Sequence, residues 1–164
     1  MPYFATAFAR TPHGWLGREL DLDEDDDLDG VADALREYAA EDSADVTLLF
    51  VEEDDEWLGV ARVDGDADPR VFISDFRAVQ YSDIAARLAE DLAVERPAAT
   101  LEEEESVKPS LQPAGDVDLL TDFGTAGDRL LELCAEEGLL PADVITELCE
   151  RAGCVEQLEQ LREG

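Results

Sequence analysis

The sequence predicts an α+β fold: an antiparallel sheet of about five strands with two helices, followed by a small helical C-terminal region. Three observations predict it. Strand-like segments come in close pairs joined by breaker-rich turns, which is the mark of hairpins and not of βαβ crossovers. Two other segments switch to a helical apolar period. Beyond residue 117 only the helical period remains.

"PYFATAFA" (2–9) is aromatic and, after Pro2, free of breakers, and predicts a strand. "RTPHG" (10–14) is a turn punctuated by Pro12 and Gly14, and "WLGREL" (15–20) returns as a second strand with Leu16 and Leu20 on one side and Arg18 between them as a tolerated edge residue. From Leu28 the period changes: Leu28, Val31, Leu35, Tyr38 and Ala39 fall on one helical stripe. "VTLLFVEE" (46–53) is apolar toward both faces, as a central strand is, and "WLGVARV" (57–63) pairs with it across an acidic tip. "DGDADP" (64–69) turns the chain into "RVFIS" (70–74), a fifth strand. Tyr81, Ile84, Leu88 and Leu92 then mark a helix with Ser82 as its N-cap. The order is ββαβββα, with both helices on one face of the sheet. Trp15 and Trp57 are expected on paired strands, packed together.

Residues 93–116 carry three prolines, four consecutive glutamates and no apolar period, and read as a flexible or extended linker. It divides an α+β domain (1–92) from a helical C-terminal region (117–164). In that region Ala126, Leu130, Leu133 and Cys134 share a face. Gly138 and Pro141 mark a stop and a start, and Val144, Ile145, Leu148, Cys149 and Ala152 line a second helix that Gly153 closes. Val155, Leu158 and Leu161 line a third. Three short helices make a thin core alone, so they are expected to dock on the sheet or on a partner.

Charge narrows the function. The chain holds 43 acidic and 12 basic residues, a net charge of −31, and 45% of its residues are apolar. The excess is spread over the α+β part, the linker and the helical part alike. Nucleic-acid binding is driven by clustered Lys and Arg. Here there is one lysine, Lys108, and eleven scattered arginines. Direct binding of RNA, DNA or an anionic membrane is not expected, whereas a basic protein is favoured. No leader or membrane-length apolar run is visible in this sequence, and Cys134, Cys149 and Cys154 lack CxxC spacing, so a reducing cytoplasm is the expected compartment.

Little in the sequence suggests chemistry. His13 is the single histidine, and it lies in a turn. No phosphate-cradling glycine loop follows a strand, and no cofactor is implied. The one metal-like pattern is "DDDLDGVADALR" (25–36). Asp25, Asp27, Asp29, Gly30 and Asp33 match positions 1, 3, 5, 6 and 9 of a calcium loop, but position 12, where a bidentate glutamate belongs, is Arg36. Residues 21–29 hold seven acidic residues, a density that produces such a match by chance. The favoured reading is an acidic flank that caps a helix and complements its dipole. Divalent-cation binding by Asp25, Asp27, Asp29 and Asp33 is the alternative.

"VFISDFRAVQYSDIAARL" (71–88), "VDLLTDFGTAGDRLLELC" (117–134) and "LLPADVITELCERAGCVEQLEQL" (139–161) resemble a family of small actinobacterial proteins, the tRNA adenosine deaminase-associated proteins. The resemblance covers nearly the whole chain. It carries no catalytic signature, so it implies association with the deaminase and no catalytic residues. The chain is not itself that deaminase: His13 is followed by Gly14 and Trp15, and no PCxxC is present to complete a zinc site. The expectation is a non-catalytic interaction or regulatory protein, with a basic partner such as tRNA adenosine deaminase.

Overall fold

The computed structural model describes residues 3–19, 28–42, 44–53, 57–65, 69–75, 78, 82–88, 113–135 and 139–163. Its elements are β1 (Tyr3–Thr11), β2 (Gly14–Glu19), α1 (Leu28–Asp42), β3 (Val46–Glu53), β4 (Trp57–Asp64), β5 (Arg70–Ile73), α2 (Asp83–Leu88), β6 (Ala114–Gly115), α3 (Gly127–Ala135), α4 (Pro141–Ala152) and α5 (Val155–Glu163). The ββαβββα order and the α+β class follow the sequence. A short sixth strand, β6, is added from residues assigned to the linker.

The sheet is antiparallel throughout, in the order β2-β1-β3-β4-β5-β6. β3 pairs with β1 and not with β2, so the chain crosses over β1 by way of α1 and leaves β2 at the edge. This separates Trp15 from Trp57. Trp15 sits on the edge strand and Trp57 on β4, with two strands between them and their side chains in different cores. The expected tryptophan pair does not form.

Side chains alternate across a strand, and the sequence uses that alternation to build two different faces. On β1 one row is Ala5, Ala7 and Ala9, and the other contains Phe4 and Phe8. The small row lets α1 approach closely: Ala5 and Ala7 pack with Val31, Ala32 and Leu35, alongside Trp57, Ala61, Ile84 and Leu88. Ser82 caps α2 as expected, its hydroxyl accepting the Ala85 N–H at 3.1 Å. The large row builds the second core. Phe8, Leu48, Phe50, Leu58, Val60 and Phe72 meet Leu119, Leu120, Leu130, Leu133, Ile145, Leu148 and Leu158. The C-terminal helices therefore dock on the face of the sheet opposite α1 and α2, and their apolar stripes are buried within this chain. Burying each such phenylalanine contributes about 1.5–3 kcal/mol.

Three sequence signals land where expected: Pro141 opens α4, Gly153 closes it at φ +96°, and Leu158 is buried on α5. Two do not. Ala126 is exposed, with Gly127 buried in its place. Leu16 is 48% exposed, because the covered face of β2 is that of Trp15, against which α5 packs. At the other edge Gly115 takes φ +103°, and a Cβ there would lie 2.2 Å from the Val71 carbonyl oxygen, so only glycine allows β6 this close to β5.

Candidate interaction site

Arg62 is the odd residue of β4. It stands on the face of Leu58 and Val60, and its side chain is 5% exposed. A buried guanidinium must find acceptors. Arg62 donates to Asp64 through Nε (2.7 Å) and Nη2 (3.0 Å), to Asp122 through Nη1 (2.7 Å) and Nη2 (2.9 Å), and to the Leu119 carbonyl at 2.6 Å. Its hydrogen bond to Asp122 holds that carboxyl below the usual carboxylate range, and Asp122 in turn raises the guanidinium.

Two further arginines share this end of the sheet. Arg70 on β5 donates to Asp116 at 2.6 Å, and the Asp116 N–H donates to the Val71 carbonyl. Arg10 on β1 pairs with Asp45 through Nη2 (3.0 Å), and this hydrogen bond lowers the Asp45 carboxyl. The Phe123 ring receives both Arg10 and Arg62, each 4.9 Å from its centroid, and meets Trp15 edge-on at 5.5 Å. Trp15 Nε1–H donates to the Ala152 carbonyl at the end of α4 (3.2 Å). The sheet's arginines thus grip residues 116–123, the segment that leads into α3–α5. Sequence reading missed this anchor. Its signal was present in "VAR", an arginine on an otherwise apolar strand.

The pattern extends over the molecule. Of the nine arginines on described residues, eight form ion pairs with carboxylates of the same chain: Arg10, Arg18, Arg36, Arg62, Arg70, Arg129, Arg151 and Arg162. The ninth, Arg87, is engaged as well. The acidic excess remains outside: Glu37, Asp83, Asp118, Asp128, Glu150 and Glu159 are all exposed.

The metal-like segment is only partly within the described residues. Asp25 and Asp27 lie outside them. Asp29 falls in the first turn of α1, with Gly30 already helical, and exposed Asp33 pairs with Arg36 at 3.0 Å. Among the described residues no group of three His, Cys, Asp or Glu side chains is placed to hold a metal ion. His13 is exposed in the β1–β2 turn, its N–H donating to the Thr11 hydroxyl.

The thiols are sequestered. Cys149 and Cys154 are fully buried and unoxidised. The N–H groups of Gly153 and Cys154 both donate to the Cys149 carbonyl, a helix stop that brings the two side chains together as its apolar contact. The hydrogen bond that the Cys149 thiol makes to Cys154, and then burial, push the Cys149 thiol up, while burial pushes Cys134 up to about 12. Neither Cys134 nor Cys149 is poised as a thiolate nucleophile. One buried carboxylate, Glu53, is 5% exposed and accepts from Trp57 Nε1–H (3.1 Å) and the Ser82 hydroxyl (2.5 Å), which ties the β3–β4 end to the cap of α2. No helix among the described residues is long and apolar enough to cross a membrane.

These features define an α+β protein with helices on both sheet faces, in which eight of the nine described arginines are turned onto its own carboxylates. The chain belongs to the family of Rv3753c-like tRNA adenosine deaminase-associated proteins, whose family model matches residues 3–155. No curated protein matches it, and no solved structure does.

Proposed function

We propose that this chain is a non-catalytic regulatory protein that binds a basic surface of tRNA adenosine deaminase, the enzyme in its family's name. The observation that supports this reading most is the commitment of eight of the nine described arginines to internal ion pairs beneath a net charge of −31. Tightly paired guanidiniums offer phosphates little, whereas exposed carboxylates attract a cationic face and speed its encounter. The natural cationic face on a tRNA-modifying enzyme is the one that holds tRNA, so the two ligands compete. The test is calorimetric titration of the chain into the purified deaminase at two salt concentrations, with and without tRNA. Binding that weakens with salt and is displaced by tRNA supports the proposal. Binding indifferent to both, or none at micromolar concentrations in low salt, refutes it.

A further inference from the structure

We propose that the outer edge of β2 is a docking site that takes an extended, basic segment of a partner protein as an added strand. This rests on the reading of a basic partner above and adds where and how that partner binds.

β2 ends the sheet. Its six residues pair with β1 in unbroken register, from Thr6↔Glu19 to Thr11↔Gly14, and no strand among the described residues pairs with its other side. In an antiparallel ladder alternate residues turn their N–H and C=O toward the neighbour. The Trp15 carbonyl turns away from β1, since the Gln157 side chain donates to it at 3.1 Å. The backbone groups of Gly17 and Glu19, two and four residues further on, therefore face outward and form a template for strand addition.

Soluble proteins guard such edges with lysine, proline or a bulge. "GWLGRE" has no lysine or proline, its one arginine, Arg18, is turned onto Glu41 and the Tyr38 ring of α1, its register has no bulge, and Leu16 is one of two large apolar side chains that stand exposed among the described residues. The guard against a second copy of this chain is the charge of the whole molecule, −31, which keeps copies apart. That guard is selective, because it attracts a cationic strand. Exposed Glu156 and Glu159 ride on α5, the helix packed against β2, and exposed Glu19 ends the strand. A segment alternating apolar and basic residues sets the first beside Leu16 and the second on the α5 side.

The test uses the full chain, isotope-labelled, at low salt. The probes are an end-capped octapeptide of alternating valine and lysine and its valine–glutamate counterpart. The lysine peptide is expected to slow amide exchange at Gly17 and Glu19 about tenfold or more, to leave Leu16 and Arg18, which face β1, little changed, and to have no glutamate equivalent. Leu16→Lys is expected to weaken that peptide about tenfold, and Glu150→Gln, an equal charge change on α4, by no more than about twofold; each variant's amide spectrum reports its fold. No binding of the lysine peptide overturns the proposal. So does binding without protection of Gly17 and Glu19, equal protection by the glutamate peptide, or an equal loss in the two variants. A deaminase that fails to bind while the peptide still protects β2 overturns the choice of partner and leaves the edge assigned.

Discussion

Arg62 on β4 and Asp122, 60 residues further along the chain, meet fork to fork, Nη1–Oδ1 at 2.7 Å and Nη2–Oδ2 at 2.9 Å. The pair is unequal. The Arg62 side chain is 5% exposed and that of Asp122 is 59% exposed. Removing one end is therefore not the same as removing the other. Asp122→Asn leaves Arg62 with Asp64 and the Leu119 carbonyl, and is expected to cost about 1 kcal/mol, as partly exposed pairs do. Arg62→Met takes every donor away and leaves the Leu119 carbonyl buried without one, at about 2–4 kcal/mol. Urea unfolding of both variants checks this. Equal losses would mean that the guanidinium does not anchor residues 116–123.

The same pair sets a pH dependence. Arg62 lowers the Asp122 carboxyl and Arg10 lowers that of Asp45. A carboxyl lowered on folding adds stability that is full above its unfolded value, about 3.9 for aspartate, and is lost as pH falls through the folded value. The stability gap between wild type and Asp122→Asn is thus expected to be constant from pH 7 down to about 5 and to close below about 4. Urea midpoints taken at pH 7, 5, 4 and 3 measure it. A gap that widens toward acid would reverse the sign and contradict the pairing.

The core strands and most helices were legible because their signals are local. "VTLLFVEE" declares a central strand, Ser82 a cap, and Pro141 and Gly153 the two ends of α4. What was not legible is long-range. Nothing local tells whether β3 joins the sheet beside β1 or beside β2, and that choice separates Trp15 from Trp57. β6 is two residues long and has no period to detect. The distant partner of Arg62, Asp122, is 60 residues away and that of Arg70, Asp116, is 46 away, and among 43 acidic residues sequence cannot choose them. Composition carries the acidic excess, but not the internal pairing of eight of the nine described arginines.

Burial and the mutual hydrogen bond of Cys149 and Cys154 predict silent thiols. With these two fully buried and Cys134 pushed up to about 12, none should be modified by a thiol-reactive disulfide dye at pH 8 within minutes, and all three should react once urea unfolds the chain. Cys149→Ser sets a hydroxyl among leucines, and is expected to cost about 1–3 kcal/mol. Rapid labelling of Cys149 or Cys154 in the native protein would show that α4 and α5 part readily from the sheet.

Glu53 holds two donors from different elements, Trp57 Nε1–H and the Ser82 hydroxyl. Glu53→Ala orphans both in a buried setting and is expected to cost about 2–4 kcal/mol. Trp57→Phe removes one donor while the Ser82 bond remains, together with the loss of part of a buried ring, at about 1–3 kcal/mol. Amide exchange should separate local from global effects: Ala85, whose N–H bonds to Ser82, should lose protection in Glu53→Ala beyond the global change. If Ala85 follows the rest of the molecule, Glu53 acts through packing alone.

The acidic segment before α1 gives the last prediction. A calcium loop wraps its ion by turning sharply at the sixth position and closing with a bidentate glutamate at the twelfth. In this chain the sixth residue, Gly30, is already inside α1, and the twelfth is Arg36, ion-paired to Asp33, itself the ninth. Without that closing glutamate, the run of carboxylates is expected to attract a cation as a diffuse charge and not as a coordination shell. Titration with calcium is expected to give a weak heat that disappears with added salt, and Asp27→Asn/Asp29→Asn should reduce it only in proportion to the charge removed. A stoichiometric, salt-resistant transition abolished by that double substitution would establish a true site, and residues 25–33 would then need a conformation different from a helix begun at Leu28.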